Sequence, residues 1–118
     1  MRKKLYDSEL KIMEVLWKQG EVTAKKIAEE LYKQIGWSKT TTYTVIKKCI
    51  EKGAVERREP HFTCHALISK EEVQKYETHE LVEKMYDGRP DKLIASLIGE
   101  KSLDKAGIMR LKKLIEDL

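Results

Sequence analysis

The sequence predicts a mainly α-helical chain carrying one small β wing. Three observations predict it. Apolar residues recur at spacings of three and four along most of the chain. Alternation of the kind a strand needs appears in one place only, around His61 to Leu67. N-capping residues and glycines bracket the periodic segments.

Asp7 and Ser8 are N-cap residues ahead of Leu10, Ile12, Met13, Leu16 and Trp17, and Gly20 stops the run. They predict a first helix over about 8–18. Thr23 caps a second helix over about 24–34, with Ile27, Ala28 and Leu31 on one face and Gly36 beyond it. Ser38 caps a third over about 39–52, with Val45, Ile46, Cys49 and Ile50 as its stripe and Gly53 at its end. Ala54 to Arg58 and His61 to Leu67 then flank Glu59-Pro60 as a hairpin, with Phe62, Cys64 and Ala66 on one face and His61, Thr63 and His65 on the other. Ser69-Lys70-Glu71-Glu72 is a capping box opening a fourth helix over about 70–86. Asp87-Gly88-Arg89-Pro90 breaks it. Leu93, Ile94, Leu97 and Ile98 mark a fifth helix closed by Gly99, and Ser102 or Asp104 starts a sixth.

A helix, a short turn and a second helix form a helix-turn-helix, and a hairpin directly after it is a wing. Residues 1–68 therefore read as a winged-helix DNA-binding domain, and residues 69–118 as a helical dimerisation domain.

Composition narrows the function. The 118 residues are 37% charged and 41% hydrophobic, enough for a modest core. No apolar run is long enough to span a bilayer. Asp7 and Glu9 interrupt any leader-like apolar segment, so no signal peptide is expected and the predicted location is cytoplasmic, without membrane association. Two cysteines make no disulfide framework. Residues 1–68 hold 14 Lys/Arg against 9 Asp/Glu, while residues 69–118 hold 10 against 11. The surplus positive charge coincides with the winged helix, as a phosphate-binding surface requires.

The second helix of a helix-turn-helix enters the major groove and reads base edges from its N-terminal residues. Here that segment is Lys39, Thr40, Thr41, Thr42, Tyr43 and Thr44. Four Thr within five residues trade helix propensity for hydroxyls that hydrogen-bond bases and methyls that touch thymine. Thr40, Thr41, Tyr43 and Thr44 are the expected base readers. Thr23, Lys25, Lys39, Lys47, Lys48, Arg57 and Arg58 are the expected phosphate contacts, with Lys3, Lys4, Tyr6, Lys26 and His61 as further backbone contacts. Leu93, Ile94, Leu97, Ile98, Leu111, Leu114 and Ile115 form an aliphatic set that three short helices cannot cover alone, and it predicts a homodimer. The two recognition helices would then bind a palindromic double-stranded DNA operator.

Other chemistries have less to stand on. His61, Cys64 and His65 with Cys49 resemble a metal cluster in composition, but adjacent strand residues point to opposite faces, so no metal site is assigned. Nothing resembles a phosphate-binding glycine loop, a nucleophile elbow or a catalytic triad, so neither an enzyme nor a cofactor is expected. Two alternatives stay open: a winged helix that docks a protein partner, and a metal- or redox-responsive regulator acting through Cys49 and Cys64.

Leu10-Lys11-Ile12-Met13-Glu14-Val15-Leu16-Trp17, Val22-Thr23-Ala24-Lys25-Lys26-Ile27, Gly36-Trp37-Ser38 before a Thr-rich helix ending Glu51-Lys52-Gly53, and Ala66-Leu67-Ile68-Ser69-Lys70-Glu71-Glu72 together carry a resemblance. Over nearly its whole length the chain resembles the penicillinase-repressor (BlaI/MecI-like) family of winged-helix transcriptional regulators. The resemblance implies a homodimeric repressor of β-lactamase or resistance genes. Thr41 and Thr44 match the family's Thr positions, whereas Thr40 replaces a common Lys, and Thr42 and Tyr43 replace an aliphatic residue and Gln, which points to a different operator. In the resistance branch a sensor protease relieves repression by cutting the fifth helix at an Asn-Phe bond. The corresponding residues here are Ser96 and Leu97. A related branch senses copper through a Cys-x-Cys motif near the C-terminus, and no Cys follows Cys64 here.

Overall fold

The computed structural model describes residues 4–118. Its elements run α1 (Asp7–Gln19), β1 (Val22–Thr23), α2 (Ala24–Ile35), α3 (Lys39–Glu51), β2 (Val55–Arg58), β3 (Thr63–Ala66), α4 (Lys70–Met85), α5 (Pro90–Gly99) and α6 (Lys105–Glu116). The chain divides into two compact units, one ending at Val73 and one running from Gln74 to Leu118.

The first unit is a winged helix. Its core is the stripe predicted from each helix: Ile12, Met13 and Leu16 from α1, Ile27 and Leu31 from α2, Ile46 and Cys49 from α3, closed by Val55 and Cys64. Caps set the helix limits. Thr23 Oγ1 accepts from Lys26 N–H at 3.1 Å, and Gly36 ends α2 at φ 72°, a left-handed conformation that costs glycine little. The start of α1 differs from expectation. Tyr6 is its N-cap and Asp7 already lies inside the helix, because the Glu9 carboxylate reaches back to accept the Tyr6 N–H at 2.7 Å. That carboxylate is almost fully buried and pairs with Lys52 Nζ at 2.6 Å, tying the start of α1 to the end of α3.

The sheet holds one strand more than the sequence announced. β1 pairs antiparallel with β3, Val22 opposite Cys64, and β3 pairs antiparallel with β2 from Val55 opposite Ala66 to Arg58 opposite Thr63. Two residues of β1 are too few for an alternation to register. β3 also begins later than the alternation suggested. His61 and Phe62 have φ of 71° and 50°, so they form the turn and leave Thr63 as the first strand residue.

The second unit comprises most of α4 with α5 and α6. Pro90 occupies the first turn of α5, and Asp104 Oδ1 accepts the Gly107 N–H at 2.7 Å to cap α6. Its side chains are largely open to solvent. Val82 is its buried hydrophobic among the described residues, while Leu97, Ile98, Leu114 and Ile115 are 40%, 48%, 66% and 57% exposed.

Candidate nucleic-acid interface

α3 presents one side to the core and the other to solvent. Thr42, Val45, Ile46 and Cys49 are buried. Thr40, Thr41 and Thr44 are exposed, as are Lys39, Lys47 and Lys48, and Tyr43 is half-buried. Helical spacing separates Thr42 from its three neighbours, so the Thr-rich turn offers three hydroxyls outward and one inward. Lys39, Thr40, Tyr43, Thr44 and Lys47 line a shallow groove along the exposed side. Ser38 Oγ accepts the Thr41 N–H at 3.1 Å and donates to Thr41 Oγ1 at 3.0 Å. The Thr41 hydroxyl therefore keeps its own proton to give to an acceptor.

A second concavity lies between α2 and the start of α3, lined by Lys25, Ala28, Glu29, Tyr32 and Lys39. Lys25, Lys47 and Lys48 make no ion pair among the described residues, whereas Lys26 lies 3.4 Å from Glu30. Lys4 and Tyr6 sit at the start of α1, where Lys52 Nζ meets the Lys4 carbonyl at 2.7 Å and lies 3.9 Å from the Tyr6 ring centroid. Lys3 lies outside the described residues.

Arg57 and Arg58 leave the wing in opposite directions. Residues paired across an antiparallel ladder share a face. Arg57 stands opposite Cys64, which is fully buried, so Arg57 rises from the inner face beyond the core's edge. Its guanidinium carbon lies 3.8 Å from the Phe62 ring centroid, and Nε donates to Glu59 at 2.5 Å. The Phe62 ring meets Tyr43 edge-on, centroids 5.8 Å apart, and Lys39 Nζ lies 5.7 Å from the Tyr43 ring. α3 and the wing are thus joined through two aromatic rings. Arg58 belongs to the outer face, donating to Glu56 at 2.5 Å and Glu21 at 2.8 Å. These pairs hold the Glu56 and Glu59 carboxyls below their usual range, in each case chiefly through the arginine's hydrogen bond.

Two other groups singled out in the sequence fall elsewhere. His61 is exposed at the turn, His65 Nδ1 faces Glu21 at 3.4 Å on the outer face, and Cys64 and Cys49 are buried. Burial, then the charge of Glu9, pushes the Cys49 thiol up to about 12, and burial pushes Cys64 up to about 11. Both remain thiols at neutral pH and are poor nucleophiles or metal ligands. No group of three or more His, Cys, Asp or Glu is placed to hold a metal ion among the described residues. The Ser96-Leu97 peptide lies inside α5, where the Ser96 carbonyl accepts the Glu100 N–H at 3.1 Å.

Phe62 and Tyr32 were not among the expected site residues. The predicted alternation placed Phe62 on the same face as Cys64, which was the available signal. Tyr32 follows Leu31 on α2 and carries no pattern of its own.

Among known proteins, the penicillinase repressor of Bacillus licheniformis is 24% identical over 113 residues, 94% of this chain and 88% of the relative. The methicillin resistance regulatory protein MecI of Staphylococcus aureus is 23% identical over 110 residues, 92% and 89% of the two chains. The solution structure of the DNA binding domain of the repressor BlaI superposes with a TM-score of 0.54 at 30% identity, covering 59% of this chain and 90% of that one. Bacillus licheniformis BlaI in monomeric form, in complex with the blaP half-operator, matches with a TM-score of 0.54 at 28% identity, covering 59% and 88%. The penicillinase repressor family model matches residues 5–117, through both units. By its fold, and along almost its entire length, the chain belongs to the penicillinase repressor family.

Proposed function

We propose that the chain is a cytoplasmic, homodimeric transcriptional repressor that binds a palindromic promoter operator and blocks the promoter it occupies. The reading is carried by one observation: three Thr side chains stand exposed on the first turns of α3, with Lys47 and Lys48 behind them making no ion pair among the described residues. Hydroxyls at the head of a recognition helix suit base edges, and cations without carboxylate partners suit phosphates. The related BlaI bound to a half-operator supports the same mode of binding.

Thr40, Thr41, Tyr43 and Thr44 read bases. Thr23, Lys25, Lys39, Lys47, Lys48, Arg57 and Arg58 hold phosphates. The aliphatic face of α5 and α6, with Ile94, Leu97, Ile98, Leu114 and Ile115 exposed and Leu93 and Leu111 half-buried, supports a second copy as partner. A sensor protease as inducing partner rests on family resemblance. Cleavage at Ser96-Leu97 would require α5 to open first.

Duplex binding across a salt series tests the reading. A repressor loses affinity steeply with salt, the slope reporting the phosphates it neutralises; a flat response fits a module that docks protein. Thr41→Ala should lose about 1–3 kcal/mol of discrimination between preferred and random duplex. Equal weakening on both duplexes would remove Thr41 from the base readers.

A further inference from the structure

The ring contacts between α3 and the wing have a consequence for binding. Tyr43 stands on α3 among the expected base readers, and Arg57 stands on β2 among the expected phosphate contacts. Among the described residues neither makes a hydrogen bond or ion pair to the other's element. Phe62 lies between them, edge-on to Tyr43 at 5.8 Å and beneath the Arg57 guanidinium at 3.8 Å. Its own placement is fixed twice over. The carbonyl of Phe62 accepts the Ala24 N–H at the start of α2 at 2.9 Å, and its ring packs against the core. Its φ of 50° turns the chain there, so the ring projects toward α3 rather than along the strand.

A guanidinium over an aromatic face keeps its in-plane N–H donors free at the rim, whereas one folded into a carboxylate pair spends them. Arg57 has both partners, Phe62 below and Glu59 at its Nε. When a phosphate displaces Glu59, the ring contact is the one that persists.

We propose that Phe62 is a positioning residue for DNA binding: it sets Arg57 against the recognition helix, so that the wing's phosphate contact and the base-reading turn act as one preformed surface. The inference rests on the DNA-binding reading above. Phe62 does not itself contact bases. It acts through Arg57, and its value lies in ordering a long side chain before DNA arrives.

The test uses the full chain and duplexes that the wild type has enriched from a random pool. Phe62→Leu keeps an apolar side chain but removes the ring face, and Phe62→Tyr restores the ring. Thermal unfolding establishes that both fold. Phe62→Leu should weaken binding by roughly tenfold and make the salt slope shallower by about 0.9, one phosphate's worth. Phe62→Tyr should restore both. Arg57→Ala should add little in the Phe62→Leu background, because the two residues share one contact. Wild-type affinity and slope in Phe62→Leu would overturn the inference, as would fully additive losses. If the wild type enriches no duplex at all, the DNA-binding reading itself has failed, and the inference falls with it.

Discussion

Thr42 separates chemistry from packing within one turn of α3. Its side chain is fully buried, and its hydroxyl oxygen has no hydrogen-bond partner among the described residues. A buried unpaired hydroxyl is destabilising, and Val has nearly the same shape without it. Thr42→Val should therefore raise stability by about 1 kcal/mol in urea unfolding and leave DNA affinity unchanged. The sequence pattern sets Thr42 on the groove-facing side with its neighbours, although it lies three and four residues before Val45 and Ile46 on the apolar stripe, and the structure turns it inward. The composition of the Thr run hid it: four similar residues looked like one surface. Cys49 makes a second prediction at this scale. Its pKa rises on folding from 9.0 to about 12, so the folded state holds the proton longer than the unfolded state does. The stability it contributes is complete below pH 9 and is lost as pH rises toward the folded value. Melting temperature should fall between pH 9 and 11, and fall less steeply in Cys49→Ala.

The helices were legible from apolar spacing in most, from the capping box at α4 and from the proline at α5, and their limits moved by a residue or two. The wing was legible as a hairpin but not in its geometry. β1 is paired with residues some forty positions away, and no local pattern encodes such a partner. The φ values at His61 and Phe62 shortened β3 and carried Phe62 out of the ladder and into the turn. That geometry separates two arginines the sequence treated alike. Arg57 lies on the inner face beside Phe62, and Arg58 lies on the outer face between Glu56 and Glu21. Arg57→Ala should lower affinity for all duplexes and reduce the salt slope by about 0.9, with a smaller effect from Arg58→Ala. Filter binding at several salt concentrations distinguishes them; equal effects would mean that Arg58 leaves Glu56 and Glu21 for phosphate as readily as Arg57 leaves Glu59.

At the scale of the molecule, charge and apolar surface are divided between the two units. The winged helix holds the excess of basic residues and buries its apolar ones; the helical unit is nearly balanced and leaves them uncovered. Leu114, at 66% exposed, and Leu97, at 40%, line an apolar groove with Ile94, Leu103 and Leu111. A carboxylate placed in an interface that buries this groove would be desolvated without a partner. Leu97→Glu should convert a dimer to a monomer by sedimentation equilibrium, and should cost much more affinity for a full operator than for a half-site.

Selection of bound duplexes from a random pool reads the two units together. Two joined copies of the winged helix should enrich an inverted repeat whose half-sites lie about 10 bp apart, or a multiple of it, centre to centre. Enrichment of a single unrepeated site, or of nothing beyond non-specific sequence, would contradict a dimer that reads DNA through paired α3 helices.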